Sequence, residues 1–374
     1  MKVGIDTFGC DHGRSGLGSY LLSLVPSLPA QQDVTYDLFG PEMDRYTYSA
    51  DKGLNFSSAN VPDSLTAERL WHVFNVNSFG KKRNYNVILY TAGARMLPLS
   101  CKVPGVAVVN DIVSNLFLKT DDRWLTNQMR KGLSRVNCII AASQYIRKDL
   151  ERFGIQNDNI QVIHNGIDHS LFYPRTIESD ETIDIKPFAI KRPYFIYASR
   201  MASPEKKHIE LIKAFSLFKE KTHLPHRLVL AGSEGPYSDE VHRAAFQSTA
   251  ASDIFLTGYF PHESFPELYR GAEACIFPSV NEGVGLPVIE AMATGLPVAC
   301  AKAGALTEIA GNNALYFNSD DIEEMESVME QIVTDKPLRE KLTTGGLEWT
   351  KRFSWEKTAS LTLEVLQNTA AKNK

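Results

Sequence analysis

The chain has 374 residues, 43% hydrophobic and 22% charged, a length that fits two domains of ordinary globular composition. A net charge of −4 argues against a nucleic-acid-binding protein, and no apolar run approaches the ~20 residues that a helix needs to cross a bilayer. Five scattered cysteines without a C-x-x-C pair support neither a disulfide framework nor a zinc site. The first strand starts at Val3 with no signal-peptide core before it, so a cytoplasmic protein is expected.

Short β-rich runs open the chain: Val3–Ile5, Tyr36–Phe39, Val87–Tyr90, Val106–Val109, Cys138–Ala141 and Ile160–Ile163. Helical patterns such as Gly18–Leu28 and Ser143–Phe153 lie between several of them. This alternation predicts an α/β domain whose parallel sheet is covered on both faces. Gly13, Gly16 and Gly18 fall between the first strand and the first helix with G-x-x-G-x-G spacing, which is not the dinucleotide fingerprint. Between Arg123 and Lys148 there are six cations and no acid, interleaved with Leu125, Met129, Leu133 and Val136 at helical spacing. That pattern fits either a helix lying on an anionic membrane or a core-facing helix with a solvated basic back. Ile163-His164-Asn165-Gly166 reads as structural, with Asn-Gly supplying a tight turn. Residues 175–192 are polar without periodicity and are expected to link a first domain, 1–174, to a second, 193–374.

The second series has strands at Phe195–Ala198, Leu228–Ala231, Ile254–Thr257, Ala274–Phe277 and Val298–Ala299. Helices are expected near 208–220, 238–249, 263–271, 286–294, 321–333 with Asp320 as N-cap, 336–350 and 355–369. Two doubly wound domains would leave a ligand cleft between their strand ends. The last helix is a candidate to pack back on the first domain.

The stretch from Phe277 to Val298 carries the strongest chemical signal. Gly283 and Gly285 let the backbone approach a ligand, Pro287 suits a helix's first turn, and Gly295 suits the position just past its end. A strand, a glycine-bearing loop and a helix N-terminus together make a seat for phosphate or sugar oxygens. Glu282 and Glu290 both reach that seat. Arg200 follows the strand ending at Ala198, and Lys206 precedes the next helix. Two such cations fit a diphosphate grip, though spacing alone favours a solvated basic loop.

These residues closely resemble the donor-site signature of the retaining, nucleotide-sugar-dependent glycosyltransferases of group one, the family-four type with the GT-B fold. The resemblance covers nearly the whole chain and is weakest over 30–85 and 175–192. It implies two Rossmann-like domains and transfer of a hexosyl unit to a hydroxyl of a saccharide or lipid-linked acceptor. By resemblance, Arg200 and Lys206 bind the donor diphosphate and stabilise the leaving group. Glu290 binds the ribose. Glu282, with the backbone N–H groups of Gly283, Val284, Gly285 and Leu286, cradles the transferred sugar. Gly258-Tyr259-Phe260 resembles the loop lining the nucleotide base, with ordinary aromatic core as the other reading of Tyr259 and Phe260. Gly16 is the candidate for the loop that approaches the donor phosphate, in a version similar to bacterial polysaccharide mannosyltransferases, which favours GDP-mannose over a UDP-sugar.

The main departure is Val109-Asn110-Asp111, where many relatives have His-Asp. Asn110 can hydrogen-bond a sugar hydroxyl but cannot exchange a proton near neutral pH. Asp111 either orients the acceptor or caps the following turn. No metal and no cofactor are expected, because cationic side chains and helix N–H groups already face the diphosphate. The expected partners are a nucleotide-sugar, a saccharide or lipid-linked acceptor and an anionic membrane surface, with no nucleic acid. Two other readings stay open: a degenerate glycosyltransferase that binds without turnover, and another GT-B enzyme such as a sugar-nucleotide epimerase.

Overall fold

A computed structural model describes residues 1–48, 54–118, 123–175, 183–185, 188–190 and the run from 191 to 372. It divides into two compact units, Met1–Gly166 with Phe353–Lys374, and Ile167–Arg352.

In unit 1 the strands are β1 (Lys2–Asp6), β2 (Thr35–Gly40), β3 (Asn55–Ser58), β4 (Val87–Tyr90), β5 (Gly105–Val109), β6 (Cys138–Ala141) and β7 (Ile160–Val162). They form one parallel sheet in the order β3-β2-β1-β4-β5-β6-β7. The central strands read as unbroken apolar runs because helices cover both faces, and every residue of β4, β5 and β6 is buried. Sheet order reverses between β1 and β4, so the loops leaving these strands splay apart and open a crevice.

The C-terminal helix Trp355–Lys372 belongs to this unit and buries Trp355, Ala359, Leu363 and Leu366 in its core. Trp355 meets Tyr20 edge-on at 5.5 Å. The Thr358 hydroxyl donates to the His164 carbonyl at 2.8 Å, and the His164 ring packs on Phe353 at 5.7 Å. Asn165-Gly166 makes no turn, contrary to the expected one. Glycine is required at 166 because a Cβ there would lie 2.2 Å from the Trp355 backbone nitrogen.

The basic helix spans Arg123–Arg135. Its Met129 and Leu133, with Val136 just beyond, are buried, so the apolar stripe is core and not a membrane face. Arg130, Lys131 and Arg135 are exposed, and Arg130 lies over the Phe153 ring at 4.8 Å. The Arg123 side chain lies outside the described residues.

Unit 2 begins at Ile167, so residues 167–174 pack with the second domain rather than the first. Arg270 explains why: it donates to the carbonyls of Leu171 and Tyr173 at 2.7 and 2.8 Å, while Phe172 is buried 6.3 Å from Tyr269. The expected linker, 175–192, lies partly outside the described residues. Its described part contains an antiparallel pair, β8 (Ile183–Ile185) with β9 (Phe188–Ile190), and Ile183 packs so close to Gly271 that a Cβ there would sit 2.3 Å away.

The main sheet of unit 2 comprises β10 (Tyr194–Ala198), β11 (Arg227–Ala231), β12 (Ile254–Gly258), β13 (Ala274–Phe277), β14 (Val298–Ala301) and β15 (Leu315–Phe317). All pair in parallel, in the order β12-β11-β10-β13-β14-β15. The reversal here falls between β10 and β13. The two strands are adjacent, and the loops that follow them lie at the sheet's carboxyl edge, where open α/β sheets bind ligands. Asp321, not Asp320, caps the Ile322–Thr334 helix through the Glu324 N–H. Asp320 instead pairs with Lys207 at 2.6 Å.

Candidate active site

The loop after β10 carries Arg200 and Lys206, and the loop after β13 carries Glu282. Three contacts brace these loops, and the Val280–Glu205 bond among them joins one loop to the other. The Tyr197 hydroxyl donates to the Lys206 carbonyl at 2.8 Å, the Val280 N–H to the Glu205 carbonyl at 3.0 Å, and the Ser319 hydroxyl to the Pro278 carbonyl at 2.6 Å. Lys206 Nζ then meets Glu282 Oε1 at 2.5 Å, with both side chains largely but not wholly buried. Lys207 is occupied elsewhere: its left-handed backbone, φ +58°, turns its ammonium to Asp320 and Glu210. Arg200 is exposed, and its Nε donates to the Glu234 carbonyl at 3.1 Å.

The Glu282 backbone is clamped from behind. Its carbonyl accepts the Ala305 N–H at 2.8 Å, and Gly304, at φ +58°, lies flat against it. Gly304 carries no local sequence signal, and its role is visible only once β14 lies beside β13.

Gly285 has φ +72°, a conformation that favours glycine, and it turns the chain into the helix Leu286–Ala293. No side chain caps this helix; Pro287 has no N–H and the Val288 N–H goes to the Gly285 carbonyl at 3.1 Å, which leaves the Leu286 N–H at the helix start for a ligand or water. Glu290 lies one turn in, 8% exposed. Its Oε1 accepts a hydrogen bond from His262 Nε2 at 3.0 Å. This contact with Glu290 raises the His262 pKa against the opposing effect of burial. Tyr259 is 74% exposed beside Gly258, whereas Phe260 is buried against Phe265 at 6.5 Å. Of the aromatic pair expected at the nucleotide base, Tyr259 is the accessible member.

In unit 1, β5 ends at Val109, and both polar atoms of the Asn110 amide are buried with no hydrogen-bond partner among the described residues. A buried orphan amide costs roughly 1–3 kcal/mol unless a ligand or water satisfies it. Asp111 does not cap the next turn, because the Ser114 N–H goes to Asp149 at 3.0 Å. Arg95 instead grips Asp111 through two bonds of 2.9 and 3.0 Å. Arg95 also lines a cavity of about 350 Å³ with Thr7, His12, Ser15, Asp44, Asp63 and Glu68, at the β1 end of the crevice. Inside it, His12 Nδ1 meets Asp44 at 2.6 Å, a contact that raises the His12 pKa.

Ser15 caps the first helix by accepting the Gly18 N–H at 3.1 Å. Gly18 is glycine for lack of room, since a Cβ would lie 2.4 Å from the Cys10 carbonyl oxygen. Gly16 has open space around it, and no neighbouring protein atom explains the absence of a side chain there.

A family model described as "Glycosyl transferases group 1" matches residues 178–349, and one described as "Glycosyltransferase Family 4" matches residues 14–171. O-antigen chain mannosyltransferase B of Escherichia coli is 28% identical over 244 residues, covering 65% of this chain and 64% of that protein. Serotype-specific mannosyltransferase WbdA of the same organism is 31% identical over 172 residues, 46% of this chain and 21% of its own length. The matches thus span less than two thirds of these curated relatives. Among solved structures, sucrose-phosphate synthase from Thermosynechococcus elongatus superposes with a TM-score of 0.75 at 17% identity, covering 100% of both chains. HepE of Anabaena, solved with UDP and glucose, gives 0.73 at 17% identity over 98% of this chain and 100% of its own. At these identities the likeness establishes the GT-B fold.

Proposed function

We propose that this chain, which belongs to the group 1 glycosyltransferases, moves a hexosyl unit from a nucleotide diphosphate sugar to a hydroxyl of a saccharide or lipid-linked acceptor, with retention of configuration. The observation that carries this reading is the Lys206–Glu282 pair, set on the loops after β10 and β13 beside the Leu286–Ala293 helix, whose N-terminus no side chain caps.

A diphosphate at that helix end meets backbone N–H groups, the positive end of the helix dipole and the Lys206 ammonium. Arg200, exposed on the same loop as Lys206, is free to add a second cation by leaving one backbone carbonyl. Glu290 accepts from the ribose hydroxyls, and Glu282 from those of the sugar. During transfer the bond from the anomeric carbon to the leaving phosphate oxygen breaks. The acceptor oxygen bonds to the same face, and its proton passes to the leaving phosphate. Asn110 does not shuttle that proton; its orphan amide offers one donor side and one acceptor side to a sugar hydroxyl. GDP-mannose is the favoured donor on the likeness to the two mannosyltransferases, with UDP-sugars as the competing class.

The test is a panel of GDP-, UDP- and ADP-sugars assayed for transfer and hydrolysis with and without EDTA. One donor should support turnover that EDTA leaves unchanged, and Asn110→Ala should cut it about tenfold or more. Binding without turnover of any donor would favour a degenerate, non-enzymatic relative, and epimerised donor would favour the other GT-B chemistry.

The acceptor bears on a second proposal, that the protein docks on an anionic membrane. Since the apolar stripe of the Arg123–Arg135 helix is core, the supporting observation is different. Trp124 is 57% exposed, and Phe74, on the Leu65–Phe74 helix, is 71% exposed. The two helices border one groove, lined by Val73 and Arg69 on one side and by Leu125 and Gln128 on the other. Exposed Arg130 and Lys131 would each add about 1 kcal/mol near anionic lipid. Phosphatidylglycerol vesicles should bind the protein at low salt, and Trp124→Ser with Phe74→Ser should release it. Absence of binding at low salt would assign a soluble acceptor.

A further inference from the structure

We infer that His262 is a positioning residue for the nucleoside half of the donor, acting through Glu290; this rests on the reading of Glu290 as the ribose acceptor. Glu290 and His262 come from different elements. Glu290 projects from the Leu286–Ala293 helix, and His262 lies in the short turn His262–Ser264 after β12, close in sequence to Tyr259. A carboxylate on a helix has rotational freedom about its last bonds, and two vicinal hydroxyls are read only if both of its oxygens are correctly aimed. The Nε2 contact at 3.0 Å fixes Oε1. The other oxygen, Oε2, has no hydrogen bond among the described residues and is left for the ligand. A carboxylate oxygen accepts more than one bond, so the contact orients Glu290 without consuming it.

His262 is itself held. Its ring packs 5.3 Å from Phe172 and 6.5 Å from Phe265. Phe172 is in turn fixed by the two bonds from Arg270 to the carbonyls on either side of it. The carboxylates of Glu263 and Asp168 also act on the imidazole, and they too raise its pKa. The result is a chain of support running from Arg270 through Phe172 and His262 to Glu290, the kind of outer contact that aims a ligand-binding carboxylate. It also ties the 167–174 segment, which sequence reading assigned to the other domain, to the nucleotide site of unit 2. Tyr259, exposed three residues before His262, is the candidate to meet the base.

The experiment titrates the full chain with GDP and with 2′-deoxy-GDP, and in parallel with UDP and 2′-deoxy-UDP. It reads the ratio of dissociation constants, deoxy over ribo, for whichever base binds. Wild type should prefer the ribonucleotide by about tenfold. Glu290→Gln should bring the ratio near one, and His262→Leu should reduce it at least threefold. His262→Gln, which retains an N–H donor, should restore most of it, which a merely structural histidine would not do. A His262→Leu protein that keeps the full ratio while Glu290→Gln loses it overturns the inference and leaves the ribose reading standing. A ratio unaffected by Glu290→Gln, or no nucleotide binding at all, overturns the ribose reading itself. Circular dichroism of His262→Leu confirms folding, and a folded variant with the ratio lost and the glutamine variant equally impaired would assign His262 to packing on Phe172 instead.

Discussion

Gly304→Ala should lower donor-dependent turnover by on the order of 100-fold, although residue 304 offers no side chain to any substrate. Two effects add. At φ +58° an L-residue occupies the left-handed region, at a cost of roughly 1 kcal/mol. More severely, the new Cβ would lie 2.6 Å from the Glu282 carbonyl oxygen and 3.0 Å from its nitrogen. Backbone atoms cannot swing aside as the end of a flexible side chain can. The β13 loop must therefore move, and the Ala305 N–H to Glu282 bond must stretch or break. Glu282 and the N–H groups that follow it would shift with the loop, and misplacement by about 1 Å is enough to cost two orders of magnitude in rate. Steady-state turnover with saturating donor and acceptor is the measurement, with the melting temperature as a control for folding. Turnover within threefold of wild type would mean that the Glu282 loop has no part in catalysis. A thermal midpoint that collapses would call for the same assay at lower temperature, where the folded fraction is recovered.

Much of this site is written locally in the chain. The strand Ala274–Phe277, the glycine turn and the helix from Leu286 all follow from an apolar run, two glycines and a proline within one short segment, and they form where expected. Gly295 closes the helix at φ +81°, as its position past the last turn requires. The alternation of strands and helices likewise led to two parallel sheets, because continuous apolar runs make sense only when both faces are covered. What was not legible is pairwise and distant. Nothing in the sequence connects His262 with Glu290 or Arg95 with Asp111, since the members of each pair follow different strands and meet only in the folded domain. The Arg123–Arg135 helix shows a different limit. Its periodicity identified an apolar face but not what covers that face, and burial of Met129 and Leu133 in the core decides the matter. Asp320 and Asp321 differ by one position, within the usual uncertainty of a helix boundary, yet one caps a helix and the other anchors Lys207.

Adjacent lysines with opposite duties allow the sharpest separation of binding from architecture. Lys206→Ala should weaken GDP, or UDP if that is the nucleotide taken, by about ten- to a hundredfold while leaving the free nucleoside nearly unchanged. Loss of a charge-assisted contact to phosphate is worth roughly 1.5–3 kcal/mol. The upper part of that range is favoured because the substitution also removes the partner 2.5 Å from Glu282. The carboxylate left behind would face the diphosphate with its charge uncompensated. Lys207→Ala makes the contrasting case. Its ammonium bridges Glu210 and a largely exposed Asp320, so its loss should cost at most about 1 kcal/mol of stability and leave nucleotide affinity intact. Glu282→Gln completes the set. It neutralises the partner of Lys206 at nearly constant shape, so diphosphate binding should hold or tighten while transfer from the intact nucleotide-sugar falls. Isothermal titration of diphosphate and nucleoside against the three variants distinguishes these outcomes. Equal losses for diphosphate and nucleoside in Lys206→Ala would place that side chain outside the phosphate site. The diphosphate would then depend on the helix N–H groups and Arg200 alone.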